Sequence, residues 1–135
     1  SAKTYFWNMN VEDNGFMILE TLDNKTAFLH VSCTEWKNLF SMEIYGKTGK
    51  IKIDGLGGSY GTETLTYYKM LPEMGIPKIQ EWSYEEEDKS WETEINEFYN
   101  EILNDKDPTV NLNDAIETLK IVEKIYIDNN YDYSS

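Results

Sequence analysis

Along the first two-thirds of the chain, apolar and polar residues alternate one by one; over the last third they recur every three or four positions. Lys3 to Val11 is aromatic and extended, Glu12-Asp13-Asn14-Gly15 supplies turn residues, and Phe16 to Leu22 resumes an apolar run. After a tight turn at Asp23-Asn24, Lys25 to Trp36 alternates strictly. Ala27, Leu29, Val31 and Cys33 share one face, and Thr26, Phe28, His30, Ser32, Thr34 and Trp36 the other. Phe40, Met42 and Ile44 lead through the loop Gly46-Lys47-Thr48-Gly49 into Ile51 and Ile53, which predicts a hairpin. Thr62 to Leu71 and Lys78 to Tyr84 read as two further strands, separated by a loop with Pro72, Gly75 and Pro77.

The period then changes. Ser90 is placed to cap a helix carrying Trp91, Ile95, Phe98, Ile102 and Leu103, which Asp107-Pro108 stops. Asn113 or Asp114 is placed to cap a second helix, with Ala115, Ile116, Leu119, Val122 and Tyr126 along one side. Strands first and helices last predict an α+β fold: an open-faced, mostly antiparallel sheet with two C-terminal helices packed on one face. The other face would carry Phe28, Trp36 and Tyr45 or their neighbours. An apolar surface of that kind is ordinarily buried against a second copy, although aromatic rings exposed singly need no such cover.

Size and charge narrow the functions. The 135 residues are read as a single domain with one core. Twenty-five acidic residues against 12 basic ones give a net charge of −13, which opposes a phosphate backbone and argues against nucleic acid as a partner. Aromatic residues make up 14% of the chain, unlike the composition of disordered acidic segments. With one cysteine, Cys33, neither a disulfide framework nor a cysteine metal cluster forms within the chain, and a reducing, cytoplasmic setting is expected. Cys33 itself reads as a small buried hydrophobe. No apolar run approaches the ~18 residues of a membrane span, so no membrane partner is expected. The chain opens Ser1-Ala2 without Met and runs straight into strand-like Tyr5-Phe6-Trp7, which points to a piece of a larger protein.

Few residues suggest chemistry. Gly55-Leu56-Gly57-Gly58-Ser59-Tyr60-Gly61 invites a nucleotide-loop reading, but G-x-G-x-x-G from Gly55 would need glycine where Tyr60 stands. The following residues also read as strand, not as the helix that would meet a pyrophosphate. A flexible connection between strands, or a loop approaching a ligand or a neighbouring subunit, fits better. His30, the only histidine, reads as a packed strand residue, and with Cys33 on the opposite face it assembles no zinc site. Glu85-Glu86-Glu87-Asp88 lacks the spacing of a calcium loop and is placed to favour the positive end of the first helix. Glu35-Trp36-Lys37-Asn38 groups a flat ring, a cation and an amide at a strand end, the kinds of group that recognise a hydroxylated ring or a carboxylate. The same tetrad also reads as a surface connection with Trp36 in an interface.

Several ordered segments bear a resemblance. V-E-D-N-G-F at Val11 to Phe16, T-E-W-K-N at Thr34 to Asn38, E-I-Y-G-K-T-G-K at Glu43 to Lys50, I-D-G-L-G-G-S-Y-G at Ile53 to Gly61, Tyr67 to Leu71 and A-I-E-T-L-K-I-V-E-K-I-Y at Ala115 to Tyr126 lie in one order. Together they resemble the C-terminal domain of the glucose-fructose oxidoreductase, inositol dehydrogenase and rhizopine-catabolism family (Gfo/Idh/MocA) of NAD(P)-dependent dehydrogenases. The resemblance implies a substrate and oligomerisation domain whose open sheet face makes a homo-oligomer and whose edge loops shape a sugar, sugar-nucleotide or polyol site. Glu35, Trp36, Lys37, Asn38 and Tyr60 are then the expected substrate-binding residues. The family's Rossmann domain, with its cofactor fingerprint, E-K-P lysine and catalytic Asp and His, would precede the matching region. The resemblance therefore implies no catalytic or cofactor-binding residue here, no cofactor bound by this piece, and NAD or NADP in the parent. A stand-alone binding or assembly module is the alternative, and a small acidic enzyme of unrelated chemistry a third reading.

Overall fold

The computed structural model describes residues 1–5, 7 and 9–130. Seven antiparallel strands form two sheets and are followed by two helices, an α+β fold. The strands expected in one sheet are thus divided. The first sheet has the order β1 (Ala2–Tyr5), β2 (Asn14–Glu20), β3 (Thr26–Ser32); the second β4 (Ser41–Tyr45), β5 (Gly49–Asp54), β6 (Glu63–Lys69), β7 (Lys78–Tyr84). Helix α1 spans Ser90–Leu103 and α2 Leu112–Asp128. The chain divides into two compact units: Ser1–Glu35 together with the chain from Asp105 on, and Trp36–Asn104. The first unit holds β1–β3 and α2, the second β4–β7 and α1.

In the first unit side chains end the strands earlier than the alternation predicts. β1 stops at Tyr5 because the Trp7 N–H turns to Asp13 Oδ2 at 2.9 Å, while the Asp13 N–H bonds Tyr5 O at 3.0 Å. Asp13, 2% exposed, anchors this turn and also accepts from Asn14 Nδ2 at 2.9 Å. β3 stops at Ser32 because the Thr34 N–H donates to Ser32 Oγ at 3.0 Å, a local bond that competes with the ladder. Asn14, Ser32 and Thr34 close the network, with Ser32 Oγ donating to Asn14 Oδ1 at 2.8 Å. The turn at Asp23-Asn24 forms as expected, with Asn24 at φ 62°. Asn111, two or three residues before the expected positions, caps α2: its side chain accepts from Asn113 N at 2.8 Å, and Asp114 reaches back to the Asn111 N–H at 3.0 Å. The Tyr126 hydroxyl donates to Glu12, tying α2 to the chain before β2.

In the second unit the register sorts residues into two unlike faces. Met42, Ile53, Leu65 and Trp82 form one cross-strand row, and Ile44, Ile51, Tyr67 and Gln80 the next on the same face. Glu43, Lys52, Thr66 and Glu81 form a row on the opposite face, beside Tyr45, Lys50, Tyr68 and Ile79. There Lys50 Nζ lies 2.9 Å from Glu43 Oε1 and over the rings of Tyr45 and Tyr68, 5.3 and 4.8 Å from their centroids. Lys52 pairs with Asp54 at 2.7 Å, and Thr66, 4% exposed, donates to Glu81 at 3.3 Å in the middle of the sheet.

Among the described residues no apolar side chain is fully buried. Neither helix has a buried residue; the α2 stripe of Ile116, Leu119, Val122 and Tyr126 lines a shallow apolar depression of about 570 Å³. Cys33 is exposed, not buried as its strand position suggested. No helix among the described residues is long and apolar enough to cross a membrane.

Candidate functional site

The second unit brings together two motifs that look unrelated in sequence. Because β6 and β7 are antiparallel with Glu63 opposite Tyr84, the loop entering β6 and the segment leaving β7 emerge at the same sheet end. The first is the glycine loop and the second the acidic run. They border a groove of about 470 Å³ lined by Gly58, Gly61, Thr62, Glu63, Tyr84, Glu85 to Lys89, Ser90 and Thr93.

The loop depends on its glycines where the backbone leaves β5. Gly55 has φ 79°, and a Cβ there would lie 2.4 Å from Thr62 O, so no side chain fits. Gly57, at φ 55°, donates its N–H to Glu63 Oε1 at 2.7 Å, and a Cβ on it would come to 3.4 Å from Asp88 Oδ2. The loop thus lies against the acidic run. It joins strand to strand, β5 to β6, as expected, and not strand to helix. At the groove's other wall, the Ser90 N–H donates to Asp88 Oδ1 at 2.9 Å. This bond, with the Ser90 hydroxyl, holds the Asp88 carboxyl below its ordinary pKa. Ser90 is therefore the first helical residue and not the cap; Lys89 occupies the cap position without a side-chain bond.

The groove's electrostatics select a class of ligand. Carboxylates of Glu63, Glu85, Glu86, Glu87 and Asp88 border it, against the single cation of Lys89, so a phosphate or carboxylate ligand is disfavoured. Carboxylates accept hydrogen bonds from hydroxyls, and Thr62, Ser90 and Thr93 add groups that both donate and accept. A cation, or a neutral polyhydroxylated molecule, matches this lining. Among the described residues, no three His, Cys, Asp or Glu side chains are placed to hold one metal ion.

The five residues expected to bind substrate fall into three places. Glu35 is the last residue of the first unit, its Oε1 3.9 Å from His30 Nδ1. His30 in turn stacks on Phe16, with centroids 4.3 Å apart and ring planes 6° from parallel. Trp36, Lys37 and Asn38 open the second unit and lead to Phe40, whose carbonyl accepts from Gly55 N at 3.1 Å. They therefore enter the sheet at the end where the glycine loop leaves it. Trp36 is 97% exposed, and its ring is not packed into an interface within the chain. Tyr60 sits in the glycine loop between the groove-lining Gly58 and Gly61, its N–H bonded to Leu56 O at 3.3 Å. The meeting of the acidic run with the glycine loop was not legible in the sequence, where the run lacks a calcium-loop spacing and reads as a solvated helix flank. The β6–β7 pairing was the available signal.

No family model, curated protein or solved structure matches this chain.

Proposed function

We propose that the chain is the C-terminal part of an NAD(P)-dependent sugar or polyol dehydrogenase of the Gfo/Idh/MocA type, a sugar-nucleotide substrate being disfavoured by the carboxylates of the groove. It supplies substrate-site loops and an oligomer interface to a cytoplasmic enzyme whose cofactor sits on a separate Rossmann domain. The observation carrying this reading is the groove, where a strand-to-strand glycine loop meets carboxylates and hydroxyls suited to a neutral polyol and ill suited to a pyrophosphate. The segments that carry the resemblance support it by falling on discrete elements: E-I-Y-G-K-T-G-K on the β4–β5 hairpin, I-D-G-L-G-G-S-Y-G on the end of β5 and its loop, A-I-E-T-L-K-I-V-E-K-I-Y within α2. Exposed apolar residues on the first sheet, among them Phe28, are the surface a homo-oligomer would cover.

Hydride transfer needs the nicotinamide and a titratable group held at the reacting oxygen, and the reading places both on the separate Rossmann domain. The chain alone should not turn over any member of a sugar and polyol panel with NAD or NADP, and absorbance at the reduced-nicotinamide band measures this. Turnover would refute the reading. In the same panel, NMR shifts at Gly57 to Gly61, Glu63 and Tyr84 should respond to a neutral polyol and not to inorganic phosphate; the reverse order would also count against it.

A further inference from the structure

We propose that the outer edge of β3 is a pairing surface on which two copies of this chain join strand to strand, antiparallel, about His30. Ile18 exchanges both backbone bonds with Ser1, at 2.8 and 2.7 Å, so the even-numbered residues of β2 face β1 and the odd ones face β3. Their partners Ala27, Leu29 and Val31 bond inward, and Cys33 N does the same to Asp13 O at 2.8 Å. The N–H and C=O groups of Thr26, Phe28, His30 and Ser32 therefore point outward, and no strand among the described residues pairs with them.

Open edges are ordinarily guarded by charges or proline. β1 carries Lys3, β4 carries Glu43, and β7 carries Lys78 and Glu81. β3 alone among the four edge strands has no Lys, Asp, Glu or Pro, and it is seven residues long. Its side chains are open too, with Phe28 70% exposed.

The occupant follows from the symmetry of the sequence about His30. In that register outward backbone groups meet outward ones: His30 faces His30 of the second copy, and Phe28 faces Ser32. On the other side of the sheet Leu29 meets Val31 and Ala27 meets Cys33. Beyond the strand, Lys25, which pairs with Asp23 at 2.7 Å within its own copy, comes level with Glu35 of the other, twice by symmetry. Shifting the centre to Leu29 puts Asp23 opposite Glu35, which like charge disfavours. The chain's net charge opposes association, but Thr26 to Ser32 carries none of its carboxylates. Pairing turns a three-stranded sheet into a six-stranded one, a size common in stable folds.

The register makes the test specific. Ala27 and Cys33 would form a non-hydrogen-bonded pair with Cα atoms about 4.5 Å apart, within disulfide range. Ala27→Cys, oxidised with diamide, should yield a covalent dimer whose peptide map joins position 27 of one copy to Cys33 of the other. By sedimentation equilibrium, Lys25→Glu should raise the dimer dissociation constant about tenfold, and Lys25→Glu with Glu35→Lys should restore it. A monomer at every concentration would overturn the proposal. So would a dimer that forms no such link and is indifferent to Lys25→Glu; that result would leave the family reading intact. If Ala27→Cys does not fold, as judged by circular dichroism, the charge swap decides alone.

Discussion

In the three-stranded sheet both faces are apolar: Phe16, Ile18 and Phe28 stand on one and Met17, Leu19, Leu29 and Val31 on the other. In the four-stranded sheet one face is apolar and the other is laced by Glu43, Lys50, Lys52, Asp54 and Glu81. An antiparallel sheet with a polar face can rest in water on that side, whereas one apolar on both sides requires two covers. The first sheet is therefore the half that depends more on outside contacts, and it depends inside on a polar turn network rather than on packing. The second supports itself through register and ion pairs, and it carries the groove.

Three experiments would break or sharpen this contrast. The largest effect is expected at Gly55→Ala, where positive φ and the Thr62 carbonyl both oppose a Cβ; a loss of about 3 kcal/mol in urea unfolding is expected, confined to the second unit. Gly58→Ala, also at positive φ but with open space around it, should cost about 1 kcal/mol. Equal losses at the two positions would mean that backbone conformation alone sets the cost.

Next in size is Asp13→Ala, which strips the Trp7 and Asn14 donors of a buried acceptor. About 2 kcal/mol should be lost in the first unit, read as faster hydrogen exchange in β1–β3 with β4–β7 unchanged. If β4–β7 loosens equally, the two units unfold together.

The smallest effect is the pH response of the polar face. The Tyr45 hydroxyl first, then Lys50, hold the Glu43 carboxyl below its ordinary pKa, and Lys52 does the same for Asp54. Both groups are charged in the folded state at a pH where the unfolded chain already binds protons. Their stabilisation is therefore present above the usual carboxylate range, about pH 4, and is lost as pH falls below it. Lys50→Met should flatten this acid slope in the β4–β5 amides. An unchanged slope would assign acid sensitivity to other carboxylates.

Much of the fold was legible because alternation is a local signal. The hairpin Met42 to Ile53, the turn at Asp23-Asn24 and the strand Lys78 to Tyr84 were read from side-chain period and turn residues. Strand ends were less so, since Ser32 Oγ and Asp13 Oδ2 capture backbone N–H groups that a periodicity reading leaves in the ladder. The α2 cap fell on Asn111 and not on Asn113 or Asp114 for a similar reason: side chains of capping type stand close together, and their geometry selects one. Of the candidate site, the glycine loop was visible as a motif and the acidic run as a composition. Their meeting was not, because it follows from Glu63 lying opposite Tyr84, twenty-one positions along the chain.

The sequence by itself determined the seven strands, the two helices and their order, along with the surplus of carboxylates, because each depends on residues a few positions apart. Only the tertiary structure decided that the strands divide into two sheets, that one of them alone has a polar face, and that Gly57 lies against Asp88. Those depend on register, and register is set by pairings between distant segments, where a slip of one residue exchanges the faces.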